Sequence, residues 1–582
     1  MKTQPFDARC RRSPLKIISI PTLALALLAL IAVSLPARAE DRTPASTITV
    51  DTLTDEQDNS CSDGDCSLRD AIAVAQAGDT IDFGVTGTIT LTISQLTIDK
   101  NLTISGPGAS SLTISGDGTY RVFWINESVD ATLSDLTIAG GYAQDGGGIF
   151  NRGGTLTLNG CTLSGNSSSY DGGGVSNRFD GTLTVSNCRF SDNTARNGAG
   201  IDNRDTLTVS DTTFTNNSAN AWGGGIYNFR GTATISGSTF TGNGEQTDSG
   251  GGLCNHEGTM TVTSSEFSAN IARVSGAGIY NEADLTVTHS DFFSNTTARG
   301  GGIYNAAGAY GDGRLTLIDG YFSDNRVTTW GGGISNHTVM TVTDSTFYSN
   351  TTGSDGGGLL NTGELDLSNT VIFSNTAGSS GGGLLNSGEL DLFGSTIYSN
   401  TAEWGGGIEN VVDAVMNSAN TTFHSNAAAD TGGGICNHGT LTVTNATFSG
   451  NRAGENGGGI RNETTATLIN TIIANSGAGG NCSGNALDAA STNGLSTDAT
   501  CAPGFVQTTH TALAMSWQGW VFEVISGSVA IDGGTNAGCP ATDQLGQIRP
   551  QDGDDDGTAT CDVGSFEFST LTEHVYLPLV LQ

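Results

Sequence analysis

The sequence Gly-Gly-Gly-Ile-x-Asn and its close variants recur thirteen times, beginning at Gly146, Gly172, Gly198, Gly223, Gly250, Gly276, Gly300, Gly331, Gly356, Gly381, Gly405, Gly432 and Gly457. Successive copies lie 24 to 31 residues apart. A second marker keeps the same beat, an apolar residue followed three later by asparagine, as in Phe190/Asn193, Phe214/Asn217, Phe240/Asn243, Phe267/Asn270, Phe347/Asn350, Ile397/Asn400 and Phe448/Asn451. Two markers in phase over so long a stretch define a solenoid. Between them the residues alternate, as in Thr440-Leu441-Thr442-Val443-Thr444, with the period of a pleated strand. Each repeat therefore supplies about three short strands, and stacking them gives an all-β, right-handed parallel β-helix. The glycines mark a corner where backbones of adjacent coils approach closely or φ is positive. The asparagines at constant register are suited to side-chain ladders.

The flanks divide the 582-residue chain further. Residues 1–39 read as a secretory signal: Lys2, Arg9, Arg11, Arg12 and Lys16 precede an apolar run, and Ala37-Arg38-Ala39 offers a cleavage site. Residues 40–80 form an N-terminal cap, where Ser67-Leu68-Arg69-Asp70 fits a capping box and Leu68, Ala71, Ile72 and Ala75 share one helical face. Such a helix covers the otherwise open edge of the first coil. The β-helix is expected over 81–475, a C-terminal cap over 476–568 and a short tail over 569–582. Beyond the leader no apolar run is long enough for a transmembrane helix. The whole chain carries a net charge of −35, and Lys100 is the one lysine left after the leader. A surface so acidic repels phosphate backbones, which excludes nucleic-acid partners.

Ten cysteines follow the leader. In an oxidising export compartment Cys61/Cys66, Cys482/Cys501 and Cys539/Cys561 are expected to pair. Cys161 and Cys188 each precede a ladder asparagine by five residues, so the repeat sets them one above the other at a bridging distance. Cys254 and Cys436 share a register but lie seven coils apart, too far to pair; His256 and His438 follow them at Cys-x-His spacing, and two ligands are too few for zinc.

Four features are candidates for chemistry. Glu364, Asp366, Glu389 and Asp391 occur in two successive Gly-Glu-Leu-Asp-Leu segments, which places four carboxylates on one outward face of adjacent coils; Ca2+ is the cation such a set would take. Asp145, Asp171, Arg152, Arg178, Asp202 and Arg204 form a mixed cluster over three coils, readable as salt links or as part of a polysaccharide lyase site. Trp222, Tyr227, Tyr280, Tyr304 and Trp330 form an outward aromatic stripe that could stack on sugars. Asp552-Gly-Asp554-Asp-Asp556-Gly557 matches the first half of a calcium loop but has Val563 where the closing glutamate belongs, and reads as an acidic turn.

The repeats over Gly146–Asn475 resemble those of chlamydial polymorphic outer membrane proteins and other bacterial β-helix proteins. Cys-Ser-Leu-Arg-Asp-Ala-Ile at Cys66 is similar to the CSLREA motif of such secreted proteins, and the segment from Ala530 through Cys561-Asp-Val-Gly-Ser-Phe-Glu567 resembles the choice-of-anchor domain, type Q. These resemblances imply a secreted or surface-displayed bacterial protein and supply no catalytic residues. With no spacing that assembles a catalytic set, the expected role is adhesion or an extracellular scaffold that meets a polysaccharide or another cell-surface ligand. The alternative is a lyase or glycoside hydrolase acting along the β-helix groove.

Overall fold

A computed structural model describes residues 46–62, 64–308 and 313–569. Residues 1–45, Asp63, residues 309–312 and residues 570–582 lie outside the described residues, and with them the expected export signal and nearly all of the expected short tail.

The described chain winds as a right-handed parallel β-helix. The coil from Gly331 to Asp355 shows how one repeat is built. Ile334–Asn336 joins a 16-stranded sheet made of one strand per coil. Val339–Thr343 and Thr346–Tyr348 join a 33-stranded sheet, and Thr351–Thr352 belongs to a 7-stranded one. Bends with positive φ at Asp344 and Ser349 separate these strands, and such φ values recur at the matching position of most coils as Asp, Asn or Ser. Neighbouring coils pair in strict register, with Ile334, Ser335 and Asn336 facing Leu359, Leu360 and Asn361.

Alternation fills the interior as the sequence predicts. Met340 and Val342 are buried while Val339, Thr341 and Thr343 are not. The phenylalanines make a continuous inner stack from Phe190 through Phe214, Phe240, Phe267, Phe292 and Phe322 to Phe347, with centroids 4.6 to 4.9 Å apart. That spacing is the distance between strands in a sheet, so the rings offset-stack with no cost in backbone geometry.

Two buried amide columns run beside this stack. In one, each asparagine that closes the glycine motif donates from Nδ2 to Oδ1 of its counterpart on the next coil, from Asn151 through Asn305 to Asn462, as at Asn305–Asn336 (2.8 Å) and Asn336–Asn361 (2.8 Å). In the other, from Asn166 to Asn451, each side chain also accepts the backbone N–H of the preceding ladder asparagine and donates to a backbone carbonyl. Asn350, for example, bonds Asn375 (3.0 Å), Phe322 O (2.9 Å) and Asn325 N (3.2 Å). Buried amides survive because their bonding capacity is used up.

The glycine corner has distinct causes at its three positions. Gly331 sits at φ +66°, whereas a Cβ on Gly332 would lie 2.1 Å from Gly357 O and one on Gly333 2.8 Å from Gly358 O, both carbonyls of the next coil. The middle position tolerates alanine in two repeats, at Ala199 and Ala277, both fully buried.

At the N-terminal end the helix Leu68–Val74 buries Leu68, Ala71 and Ile72. Ser67 accepts from Asp70 N, the N-cap half of a capping box, and its hydroxyl donates to the Asp70 carboxylate in place of the reciprocal backbone bond. Lys100 donates to Ile72 O, a cation at the helix C-terminus. Stacking continues beyond Asn475, through Cys482–Gly484, Gly494–Ser496 and Phe505–Gln507. The chain then turns back along the outside of the last coils. Trp520 O accepts from Thr396, Gln544 bonds Thr422, and Ser565 contacts Thr422 and Thr447. Trp517 and Phe522 pack on His424.

Disulfides join Cys61–Cys66, Cys482–Cys501 and Cys539–Cys561 as expected. The expected Cys161–Cys188 bridge is corrected: both are buried free thiols. Their adjacent register is as anticipated, with Cys188 Sγ accepting Cys161 N–H at 3.3 Å. The two cysteines immediately precede the in-register strands Thr162–Ser164 and Arg189–Ser191, where stacked Cα–Cβ bonds point the same way about 4.8 Å apart, whereas a bridge needs Cβ atoms closer, about 3.5–4.5 Å apart, and converging.

Candidate functional site

The variable residue of the glycine motif points away from the interior, yet in many coils it is buried. Asp202, Cys254, Ser335, Glu409 and Cys436 are nearly or wholly inaccessible, and Tyr227 and Tyr280 nearly so. The residues just before each triplet form their own column beside them, with bridges at Asp171–Asn197, Trp222–Ser249, Trp330–Asp355, Ser380–Trp404 and Thr431–Asn456. The residue after each motif asparagine closes the other side. The result is one polar and aromatic face running along the rod, and it collects most of the chemistry the repeats carry.

Its first part is ionic. Arg178 contacts Asp145 (3.1 Å), Asp171 (2.6 Å) and Asp202 (3.0 Å), and Arg204 shares Asp171 (2.6 Å). Burial works against the charge of Arg178, but Asp202, Asp145 and Asp171 together hold it above its ordinary value. Burial pushes the Asp202 carboxyl up, against the pull of Arg178. Of the residues grouped by the sequence, Arg152 stands apart, paired with Glu127 on the exposed surface at 3.0 Å. An arginine tied to three carboxylates is a structural tether and a poor proton abstractor.

The next coils are aromatic. Trp222, Tyr227, Phe229, Tyr280 and Tyr304 pack with Cys254 and Ala306. Tyr280 and Tyr304 stack at 5.6 Å, Tyr304 meets His337 at 4.9 Å, and the Arg299 guanidinium lies 4.8 Å over the Trp330 ring. The stripe foreseen from five residues is thus one contiguous patch, with Phe229 and His337 added. His256 joins it through Glu282 at 2.9 Å, which raises its pKa. Burial pushes Glu282 up, but hydrogen bonds from His256 and Tyr280 leave its carboxyl below the ordinary value.

Farther along, Glu409 lies in register with Cys436 of the next coil, and His438 Nε2 is 3.4 Å from both Cys436 Sγ and Glu409 Oε1. Burial raises the Glu409 carboxyl to about 8, against the opposing effect of Cys436, and pushes the Cys436 thiol up as well. Sequence reasoning paired Cys436 with His438 and missed Glu409. Aligning the variable positions of Gly-Gly-Ile-Glu-Asn and Gly-Gly-Ile-Cys-Asn would have revealed it.

The acidic ladder lies on the 33-stranded sheet, away from this face. Glu364 pairs with Glu389 and Asp366 with Asp391, all four exposed. Asp391 accepts from Asn417 at 2.8 Å, and the two aspartates border a depression of roughly 360 Å³ with Phe393 and Asn417. In the acidic turn, Asp552 and Asp554 reach toward Asp532, whose carboxylate accepts Gly553 N and Asp554 N.

Comparison with known proteins agrees with this architecture. Residues 84–267 and 172–311 match the model of the right-handed β-helix region, and residues 445–463 match the Chlamydia polymorphic membrane protein repeat. The chain is therefore similar to right-handed β-helix proteins with a repeat of the polymorphic membrane protein kind. A search of curated proteins returns no match. Among solved structures, the PL6 family alginate lyase AlyGC is 12% identical over 77% of this chain and 80% of its own, with a TM-score of 0.33. A mannuronic acid specific family 6 lyase from human gut microbiota is 11% identical over 69% and 86%, TM-score 0.33. The catalytic domain of a GH87 alpha-1,3-glucanase is 11% identical over 80% and 70%, TM-score 0.28.

Proposed function

We propose that the protein is a secreted or surface-displayed bacterial β-helix that holds an extended polysaccharide along its glycine-side face, in adhesion or as an extracellular scaffold, without cleaving it. The observation that carries this reading is the contiguous aromatic patch from Trp222 to His337, which repeats at coil spacing and is bordered by ion pairs. Trp222, Phe229, Tyr304 and Trp330 are half-buried beside the buried Tyr227 and Tyr280, and half-buried rings offer apolar faces with polar edges, the chemistry that an unbranched sugar chain presents in return. Three disulfides support an oxidising compartment. The similarity of residues 445–463 to the polymorphic membrane protein repeat supports a bacterial surface.

Cleavage by a lyase or hydrolase is the competing reading, since fold alone does not decide function. Against it stands Arg178, whose guanidinium is committed to carboxylates. Incubating the mature chain with acidic and neutral polysaccharides separates the two. The proposal expects retention of at least one polymer and at least about tenfold weaker binding in Tyr304→Ala with Trp330→Ala, in line with the weight of aromatic anchors. New reducing ends or unsaturated uronate absorbance that disappear in Arg178→Ala would replace it with the enzymatic reading.

A further inference from the structure

We propose that Glu409, Cys436 and His438 form a binding site for a divalent transition metal of the Zn2+ class, with one coordination position left open. The three side chains come from two successive coils. Glu409 and Cys436 face each other in parallel register on strands Ile408–Asn410 and Ile435–Asn437, and His438 follows Cys436 by two residues, which returns its ring to the same side.

The donor spacing suits a tetrahedral ion. With metal–sulfur, metal–nitrogen and metal–oxygen bonds of about 2.0–2.3 Å, tetrahedral donors lie about 3.4–3.6 Å apart. His438 Nε2 lies 3.4 Å from Cys436 Sγ and 3.4 Å from Glu409 Oε1, and one donor atom from each residue fits within 4.8 Å of the others. Sulfur and imidazole donors select zinc and its neighbours over Ca2+ or Mg2+, which prefer oxygen alone.

A second observation points to a missing partner. Glu409 is only 4% exposed, and its Oε2 atom is buried with no hydrogen-bond partner. A buried carboxylate oxygen left this way is costly unless something cationic satisfies it. The nearby Arg461, one coil on from Cys436, is already bonded to Glu463. Cys436 is fully buried, but the His438 side chain is 38% exposed, which leaves a path for an ion to enter and a side for a fourth ligand such as water.

The molecule carries its own control. Cys254-Asn-His256 repeats the Cys-Asn-His sequence of Cys436–His438, but the preceding coil presents Tyr227 where Glu409 would stand. There His256 turns to Glu282, and Cys254 packs among aromatic rings. Binding of the metal requires the Cys436 thiol and the Glu409 carboxyl to be deprotonated and His438 to be neutral, so it releases protons to solvent.

The test is a Co2+ titration of the chelator-stripped mature chain with its disulfides intact. We expect one saturable site, a thiolate-to-cobalt charge-transfer band with tetrahedral visible bands, and bleaching by added Zn2+. Cys436→Ser should abolish the charge-transfer band, and Glu409→Gln or His438→Gln should weaken Co2+ binding at least about tenfold. Cys254→Ser should leave both unchanged. Because His438 lies at the exposed edge, His438→Gln tests the site even if Cys436→Ser fails to fold, and far-ultraviolet circular dichroism identifies that case. Absence of the band in the wild-type chain, its survival in Cys436→Ser, or its loss in a folded Cys254→Ser would overturn the proposal.

Discussion

Replacing Asn350 by alanine removes one rung from the middle of a buried amide column. Its Oδ1 accepts Asn325 N (3.2 Å) and Asn325 Nδ2 (2.8 Å), and its Nδ2 donates to Phe322 O (2.9 Å) and Asn375 Oδ1 (3.0 Å). Alanine leaves the Asn325 N–H buried without a partner, at about 1–3 kcal/mol, and strips one bond from each of three further groups, at about 0.5–1 kcal/mol each. The sum is about 2.5–6 kcal/mol, the upper end of single-residue effects. Aspartate is nearly isosteric but sets a second acceptor against Phe322 O and Asn375 Oδ1, and should cost at least as much. Asn417 is the surface comparison, bonded through Asp391 on the exposed sheet, and its loss should fall within about 0.5 kcal/mol. Urea unfolding followed by circular dichroism gives the totals. Hydrogen exchange gives the location: because coils contact only their neighbours, protection should fall first around residues 325–375. A loss below about 1 kcal/mol for Asn350→Ala, or protection lost evenly along the rod, would refute the ladder argument.

Four further outcomes follow. Gly332→Ala should destabilise more than Gly333→Ala, because a Cβ there would meet Gly357 O at 2.1 Å against 2.8 Å to Gly358 O, and thermal melts of the two variants check the order. Phe267→Ala, in the centre of the ring stack, should cost about 3–5 kcal/mol in the same urea assay. The His256–Glu282 pair should stabilise most between about pH 4.5 and 6.5. The raised histidine contributes fully below its ordinary 6.5 and loses that contribution as pH rises through its higher folded pKa. The lowered glutamate contributes above its ordinary 4.5 and loses that as pH falls through its lower folded value. A half-buried pair of this kind is worth about 1 kcal/mol, and the difference between wild type and His256→Gln across a pH series of melts reads it. Finally, Ca2+ bridging Glu364, Asp366, Glu389 and Asp391 predicts that chelation lowers the melting temperature and that Glu364→Gln with Glu389→Gln abolishes the response. An unchanged melt in chelator leaves a like-charge ladder that the double substitution stabilises at low salt only.

The solenoid was legible because its signals are local and repeated. Period-two alternation at Leu441 and Val443, a glycine at the positive-φ position that opens each triplet and an apolar residue, most often phenylalanine, three residues before each ladder asparagine require no knowledge of distant contacts. Register arithmetic also brought Glu364 beside Glu389 and Arg178 beside Asp171 and Asp202. What escaped is what the repeat does not encode. The chain after Gln507 docks along the rod through contacts such as Thr422–Ser565, which join residues more than a hundred positions apart. Cys161 and Cys188 were brought together correctly, but pairing depends on side-chain direction, which a repeat period does not carry. Glu409 was hidden because the variable position of the motif looks unconstrained until the outward face proves to be buried.

Hydroxyl-radical footprinting of the mature chain, alone and with the polysaccharide it retains best, tests the assignment of the ligand face most directly. Two half-buried aromatic columns run along different sides of the rod: Trp222, Phe229, Tyr304 and Trp330 on the glycine side, and Tyr348, Phe373 and Tyr398 on the 33-stranded sheet. Protection confined to the first column is the predicted result. Protection of Tyr348 and Phe373 instead, or of neither column by any polymer that binds, would contradict it.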